Sequence, residues 1–279
     1  MLDVVVRAYN DMPLIEETLQ GIRQQETPCR ILVMDNESSD GTTAVCKKIA
    51  DQVINVPAGT YVSGVVLNQA MKVTGSEFVV FLNSDCTPVN GDWFDPLVAG
   101  FDDERVAAVF SRQRPRLDCW TLFAKDTEDT FGDGSRQERW KHCFSMASSA
   151  VRRSAWEALP FNENIQYSED IDWTWKLRQK DCLIRYCPSS SVYHSHNYTL
   201  KQWFRRQYGE GKADAQIFDW TAWDQNWIRY SAMPLVRQVL SDWKYAFKTK
   251  SPNAFFHSPG LRLMQMLGRR KGFRDGIRL

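Results

Sequence analysis

The sequence predicts an α/β protein, with a mostly parallel sheet covered by helices on both faces over residues 1–199 and a helical appendage over residues 200–279. Three observations carry this. Short β-branched runs alternate with segments of helical periodicity, each run stops on polar residues, and composition and charge change together after Thr199. "LDVVVRAYN" and "CRILVMDN" are the first two strands, and between them "MPLIEETLQGIRQQ" sets Leu14, Ile15, Leu19 and Ile22 at helical spacing. "SSDGTTAVCKKIADQVINV" supplies a Ser/Asp cap, an amphipathic helix and a short strand, and "GVVLNQAMKVTGSEFVVFLNSD" repeats helix then strand. Sheets connected this way bind ligands beyond the carboxyl ends of their strands, where Asn10, Asp35 and Asp85 fall.

From Asp92 onward the alternation weakens. "RVAAVFSRQRP" reads as a strand, residues 115–140 as an irregular polar and aromatic excursion, and "FSMASSAVRRSAWEAL" as a strand or turn entering a short helix. "CLIRYCPSSSVYHSHN" reads as two short strands. In "YSEDIDWTWKLRQKD", Ile171, Trp173, Trp175 and Leu177 alternate as a strand would, while Asp170, Thr174 and Arg178 share a helical face.

At 279 residues and 43% hydrophobic, the chain can bury a large core. Its seven cysteines lack a CxxC pair, which fits neither a disulfide framework nor a thiolate zinc site and suits a reducing cytosol. No basic, apolar leader precedes the first strand, and no run reaches the roughly 18 apolar residues of a membrane span, so the expected location is cytoplasmic, peripheral to the membrane at most. The net charge of +1 conceals two opposite halves: 20 Lys+Arg against 28 Asp+Glu up to Thr199, and 15 against 6 after it. An acidic body suits a divalent cation, and a basic, Trp-rich tail suits an anionic membrane surface or an acidic partner; nothing points to a nucleic acid.

Asp35 and Asp85 end different strands on one sheet edge, and hard oxygen ligands converging there suit Mg²⁺ or Mn²⁺ holding a diphosphate. The absence of GxGxxG after the first strand and of GxxxxGK[ST] anywhere disfavours a dinucleotide oxidoreductase and a P-loop NTPase. Glu169, Asp170 and Asp172 form either an acidic first helical turn or a general base whose pKa is raised by crowding and burial. His194 and His196, at i and i+2 of an extended segment, point to one side, as metal contributors or as ordinary polar residues.

Together these features resemble one family, the GT-A type, family 2 inverting glycosyltransferases, from Leu2 to about Asn197, with the bacterial rhamnosyltransferase-like enzymes as the nearest subgroup. "VVVRAYN" is similar to the opening strand, where Arg7 and Tyr9 would line the nucleoside pocket. "VMDNESSDGT" resembles the second-strand signature, with Asp35 and Asn36 on the base, and "SGVVLNQAM" the following helix with Asn68. "FLNSDCTP" occupies the place of the DxD motif, "ALPFNENIQYSEDIDWTWKLR" that of the segment ending in the ED motif, and "VYHSHNYT" that of a downstream metal-binding histidine.

The resemblance implies that Asp85 coordinates Mn²⁺ or Mg²⁺ bridging two phosphates, that His194 or His196 completes the shell, and that Asn83 and Ser84 face the nucleotide. Asp170 would be the catalytic base, with Glu169 orienting donor or acceptor. Asn83 departs from the pattern, being an amide that adds no charge at the first DxD position. Trp140 is a candidate to stack on a sugar, and Ser148 and Ser149 to line the donor sugar, with core packing as the alternative role. The implied partners are a dTDP- or UDP-linked sugar donor and a glycan or lipid-linked acceptor at the cytoplasmic leaflet. The tail is then a membrane-docking element, a solvated helical pair or a homodimer interface. A weakly active nucleotide-sugar-binding scaffold on the same fold is the competing class. A nucleotidyltransferase is disfavoured because "RAYNDMP" lacks a glycine-rich, basic phosphate loop.

Overall fold

The computed structural model describes residues 1–137, 143–218 and 227–277, which form two compact units. The first comprises Met1–Arg116, Thr127–Ile165 and Glu169–His194. Its strands are β1 (Leu2–Ala8), β2 (Cys29–Asp35), β3 (Gln52–Asn55), β4 (Phe78–Asn83), β5 (Thr87–Pro88), β6 (Val106–Arg114), β7 (Ser148–Arg152) and β8 (Leu183–Tyr193), in the order β3-β2-β1-β4-β7-β6-β8-β5. The β3-β2-β1-β4 half is parallel, as the alternation predicts, and β6 runs parallel to β8. β7 is antiparallel to both of its neighbours, and β5 is antiparallel to β8.

Both faces of the sheet are buried, which is why its central strands read as unbroken apolar runs. Val4, Val6, Ile31, Val33, Val80 and Leu82 point to one face, with α1 (Leu14–Arg23), α2 (Thr42–Ile49) and α4 (Asp95–Ala99). Val5, Leu32, Met34, Val79 and Phe81 point to the other, with α3 (Ser63–Val73), α6 (Arg153–Ala158) and α7 (Glu169–Arg178). The ambiguous acidic segment is thus a helix: Trp173, Thr174 and Leu177 are buried on one helical face together with the carboxylates Glu169 and Asp172, while Ile171 and Trp175 stay partly exposed. The two short strands expected at 182–197 are one strand, β8, because pairing with β6 carries the backbone through "CPSSS" by a register shift opposite Ser111 and Arg112.

The second unit comprises Leu117–Asp126, Gln166–Ser168 and Ser195–Leu279. Thr199 and Gln202 form a capping box that starts α8 (Leu200–Ile217), and helices follow at Met233–Lys248 and Pro252–Ile277. Residues 115–140 are not wholly irregular, since α5 occupies Thr121–Thr130. Its apolar period is short, and Phe123 is buried against Tyr198 and Trp203, aromatic partners remote in sequence. Close approach governs the pairing of α8 with Pro252–Ile277: a Cβ on Gly211 would collide with the Arg269 carbonyl, and one on Gly272 with that of Tyr208. Among the described residues, charge is buried here in neutralised form. The Arg262 guanidinium donates two bonds of 2.7 Å to Asp126 and two, of 2.7 and 3.0 Å, to fully buried Asp242, which also accepts from Ser258 Oγ.

The helix Met233–Lys248 turns Asp242 and Ala246 inward and leaves Met233, Val236, Leu240 and Phe247 exposed along one stripe, with Phe247 87% exposed. Exposed Arg237, Lys244 and Lys248 flank that stripe. Among the described residues, no helix is long and apolar enough to cross a membrane.

Candidate active site

The carboxyl ends of β1 and β4 lie side by side, with Arg7 paired to Asn83 in the parallel register. Arg7 donates from Nη2 to Asn83 Oδ1 at 2.7 Å and from Nη1 to Ser63 Oγ at 2.8 Å, and its Nη1 lies 3.4 Å from Glu169 Oε1. Ser63 Oγ, at the start of α3, in turn donates to Glu169. One buried guanidinium therefore ties the opening strand, the Asn83 amide and the acidic turn of α7 together. The amide at Asn83 has a use a carboxylate would share less well: it accepts from Arg7 without adding a second charge beside Glu169.

Asp170, next to Glu169, accepts from Met146 N–H at 3.0 Å and from Ile171 N–H at 2.8 Å. Burial first, then the neighbouring Glu169 charge, pushes its pKa up to about 6, against the pull of those two amides and Arg7. A carboxylate so placed is ionised near neutrality and basic enough to accept a proton.

Asp85 follows the end of β4, and its Oδ2 lies 3.6 Å from Nε2 of His194, which follows β8. The other ring nitrogen, Nδ1, lies 2.6 Å from Gln113 Oε1 and donates to it, while Gln113 Nε2 donates to Ser145 Oγ at 2.9 Å. The buried glutamine thereby holds the ring with Nδ1 as donor and turns Nε2 towards Asp85. A carboxylate and an imidazole so oriented suit a divalent cation with positions left for phosphate oxygens and water. Cys86 is close enough to join this group, but burial and then the Asp85 charge hold its thiol well above the ordinary pKa, and a protonated thiol is a poor ligand for a hard cation. Arg116 braces the turn, donating from Nη2 to the Asp85 carbonyl at 3.0 Å and to Thr87 Oγ1 at 2.7 Å.

The remaining sequence-predicted residues are distributed as follows. Tyr9 is 57% exposed at the mouth of β1, where its N–H donates to Asp11 Oδ2 at 2.8 Å, and Ser84 Oγ donates to the same carboxylate. Asp35 is buried and accepts from Ser38 and Thr43, shaping the loop that follows β2, while Asn36 Oδ1 is buried with no hydrogen-bond partner. Asn68 spends its whole amide on the protein, donating to Phe161 O and Glu163 and accepting from Trp156 Nε1 and Phe161 N–H. Ser148 and Ser149 are fully buried on β7, the former bonded to Trp93 and Ser111 and the latter to Met146 Sδ. His196 packs its ring 5.6 Å from that of Tyr198 in the second unit. Trp140 lies outside the described residues.

Sequence reasoning missed Ser63, Asp11, Gln113 and Arg116. Of these only Gln113 left a trace, as a polar residue at a strand position where "RVAAVFSRQRP" otherwise buries apolar or small side chains.

With this geometry in view, comparison with known proteins is informative. Residues 3–159 match the family described as "Glycosyl transferase family 2". The chain is 30% identical over 200 residues to the O-antigen chain rhamnosyltransferase WbaN of Salmonella anatum, covering 68% of this chain and 64% of that protein's length. It is 27% identical over 223 residues to the O-antigen chain rhamnosyltransferase RfbN of Salmonella typhimurium, covering 75% and 71%. Among solved structures, the mannosyltransferase PcManGT of Pyrobaculum calidifontis in complex with GDP-Man and Mn²⁺ superposes with a TM-score of 0.67 at 18% identity, covering 98% of this chain and 87% of that one.

Proposed function

Because this chain belongs to glycosyl transferase family 2, we propose that it is an inverting glycosyltransferase, moving a sugar from a nucleoside-diphosphate donor to a hydroxyl of a glycan or lipid-linked glycan. The observation that carries the reading is Asp170, a half-buried carboxylate with its pKa raised to about 6 on a helix whose first turn is locked to the nucleotide-side residues by Arg7.

In this reading Arg7, Tyr9, Asp35, Asn36, Asn68, Asn83 and Ser84 shape the nucleotide side directly or through the loops they hold. Glu169 is fixed by Arg7 and Ser63 and so serves to orient, and Asp170 takes the proton from the acceptor hydroxyl as that oxygen attacks the anomeric carbon from the face opposite the leaving diphosphate. Asp85 and His194 would hold Mn²⁺ or Mg²⁺, which when bound offsets the charge on the departing nucleoside diphosphate. The test is a transfer reaction with dTDP- and UDP-sugars with and without Mn²⁺, reading the product's anomeric configuration by NMR. Retention of configuration, or no turnover with any donor, would sink the proposal.

Gln113→Leu should lower affinity for Mn²⁺ about 10–100-fold, because the imidazole loses the partner that fixes its tautomer. Electron spin resonance of free Mn²⁺ during titration reads this, and unchanged affinity would separate Gln113 from the metal role.

For the tail we propose docking on an anionic bilayer, through the apolar stripe of Met233–Lys248 and its flanking Arg237, Lys244 and Lys248. Leu240→Asp/Phe247→Asp should cut co-sedimentation with anionic liposomes at least fivefold at equal protein stability. Binding that survives the substitutions, or that is the same on zwitterionic liposomes, points instead to a homodimer or other protein interface.

A further inference from the structure

Cys86 adds a third donor beside Asp85 and His194 that the transfer reaction does not use. The chain turns back after β4, with the Cys86 N–H donating to the Asn83 carbonyl at 3.0 Å, so that Asp85 and Cys86, neighbours in sequence, serve one place. The Cys86 thiol points at Asp85 Oδ1 at 3.9 Å, and Asp85 Oδ2 lies 3.6 Å from Nε2 of His194. One donor atom from each of the three lies within 4.8 Å of the others, and all three residues belong to the first unit. Cys86 is fully buried in the apolar layer on the α1 side of the sheet, whereas Asp85 and His194 are partly exposed and open the group to solution.

These donors suit two kinds of cation differently. Mn²⁺ and Mg²⁺ are hard and leave a thiol protonated, so Cys86 stays out of their shell. Zn²⁺ is softer, binds a given set of nitrogen, oxygen and sulfur donors more tightly than Mn²⁺ does, and takes thiolate sulfur readily. A tetrahedral Zn²⁺ sets its donor atoms about 3.5 Å apart, close to the 3.6 and 3.9 Å already present. On binding, a Zn–S bond replaces the S–H bond and the proton passes to water. Arg116 and Arg7 are near enough to favour the thiolate that results. The two ions also leave different room for a nucleotide. Octahedral Mn²⁺ on Asp85 and His194 keeps several positions for phosphate oxygens and water, whereas tetrahedral Zn²⁺ on three protein donors keeps a single one.

We propose that Asp85, Cys86 and His194 form a Zn²⁺ site that competes with the Mn²⁺ or Mg²⁺ of the transfer reaction and shuts out the nucleoside diphosphate. The proposal rests on the reading of Asp85 and His194 given above and adds a softer, inhibitory cation and its third ligand. A diphosphate that reaches a cation through an oxygen of each phosphate needs two open positions, and the Zn²⁺ form lacks the second.

The test is a Co²⁺ titration of the full chain, after treatment with EDTA and desalting, followed by near-ultraviolet absorption, in which a cobalt–thiolate bond gives a charge-transfer band. A saturable band that Zn²⁺ erases is expected. Cys86→Val should abolish it and change Mn²⁺ affinity by less than about twofold, since the hard cation does not use sulfur. Melting curves check the fold, and Cys86→Ser replaces the valine variant if that one does not fold. In calorimetry with UDP and Mn²⁺, added Zn²⁺ should weaken UDP binding about tenfold or more in the wild type, and less than about twofold in the variant, where Zn²⁺ regains its second open position. No band in the wild type, or a band that persists in the folded variant and so comes from the other cysteines, overturns the site. A band accompanied by unchanged UDP affinity overturns the competition. The two readings fail separately. Mn²⁺-dependent transfer without a thiolate band removes the Zn²⁺ site alone, whereas a Cys86-dependent band in a protein that transfers no sugar removes the transfer reading alone.

Discussion

Asp170→Asn is expected to lower the transfer rate about 10³-fold, within the usual contribution of a positioned general base, while leaving nucleotide affinity within about twofold of the wild type. The amide keeps one oxygen for Met146 or Ile171 but cannot accept a proton. In the wild type kcat/KM should rise with pH and level off above about 6, as burial and Glu169 set the Asp170 pKa there. A residual rate in the variant that still shows this limb would remove Asp170 from the base role. The same shift carries a stability cost of the opposite sense. Asp170 binds its proton more tightly folded than unfolded, so its ionisation opposes folding. That cost is absent below its ordinary value of 3.8, grows as pH rises towards 6, and is complete above 6. The Asn variant escapes it, so its melting temperature relative to the wild type should improve between pH 4 and pH 7.5.

Asp85→Ala should abolish the gain in nucleotide affinity that Mn²⁺ confers and reduce transfer by about 10²-fold or more, since the carboxylate is the charged member of the Asp85–His194 pair. The fold should survive. Asp85 is one of the charges, after burial itself, that raise the Asp11 pKa, so its removal relieves repulsion at this edge. Calorimetry of both proteins with and without Mn²⁺ decides the matter, and equal affinity in the presence of Mn²⁺ would refute the role.

The parallel half of the sheet was legible because strands buried on both faces announce themselves as unbroken apolar runs, and the polar residue that ends each run marks the edge where ligands meet the sheet. Asp85 and Asp170 stand out as candidates in this way, by position and by crowding. Gln113 could not, because its importance lies in a bond to His194, 81 residues away in sequence. Nor could α5, whose Phe123 is buried by tail aromatics that no local period reveals. "CPSSS" misled for the converse reason: its polar residues look like a turn, yet β6 pairs with Cys187 and Ser191 on either side of Pro188–Ser190, so one strand continues through them. Sequence periodicity reports burial along an element, and it says little about partners supplied from elsewhere in the chain.

The contact of α8 with Pro252–Ile277 through Gly211 and Gly272 restricts how the tail can vary. Where two helices meet backbone to backbone, no side chain lies between them to be exchanged for a slightly larger or smaller one. Change at this seam is all or nothing, and a truncation that removes the last helix would uncover a glycine-lined groove rather than a trimmed end. The outward stripe of Met233–Lys248 is under no such restriction and can drift residue by residue, which would let the second unit keep its scaffold while the surface it presents is retuned.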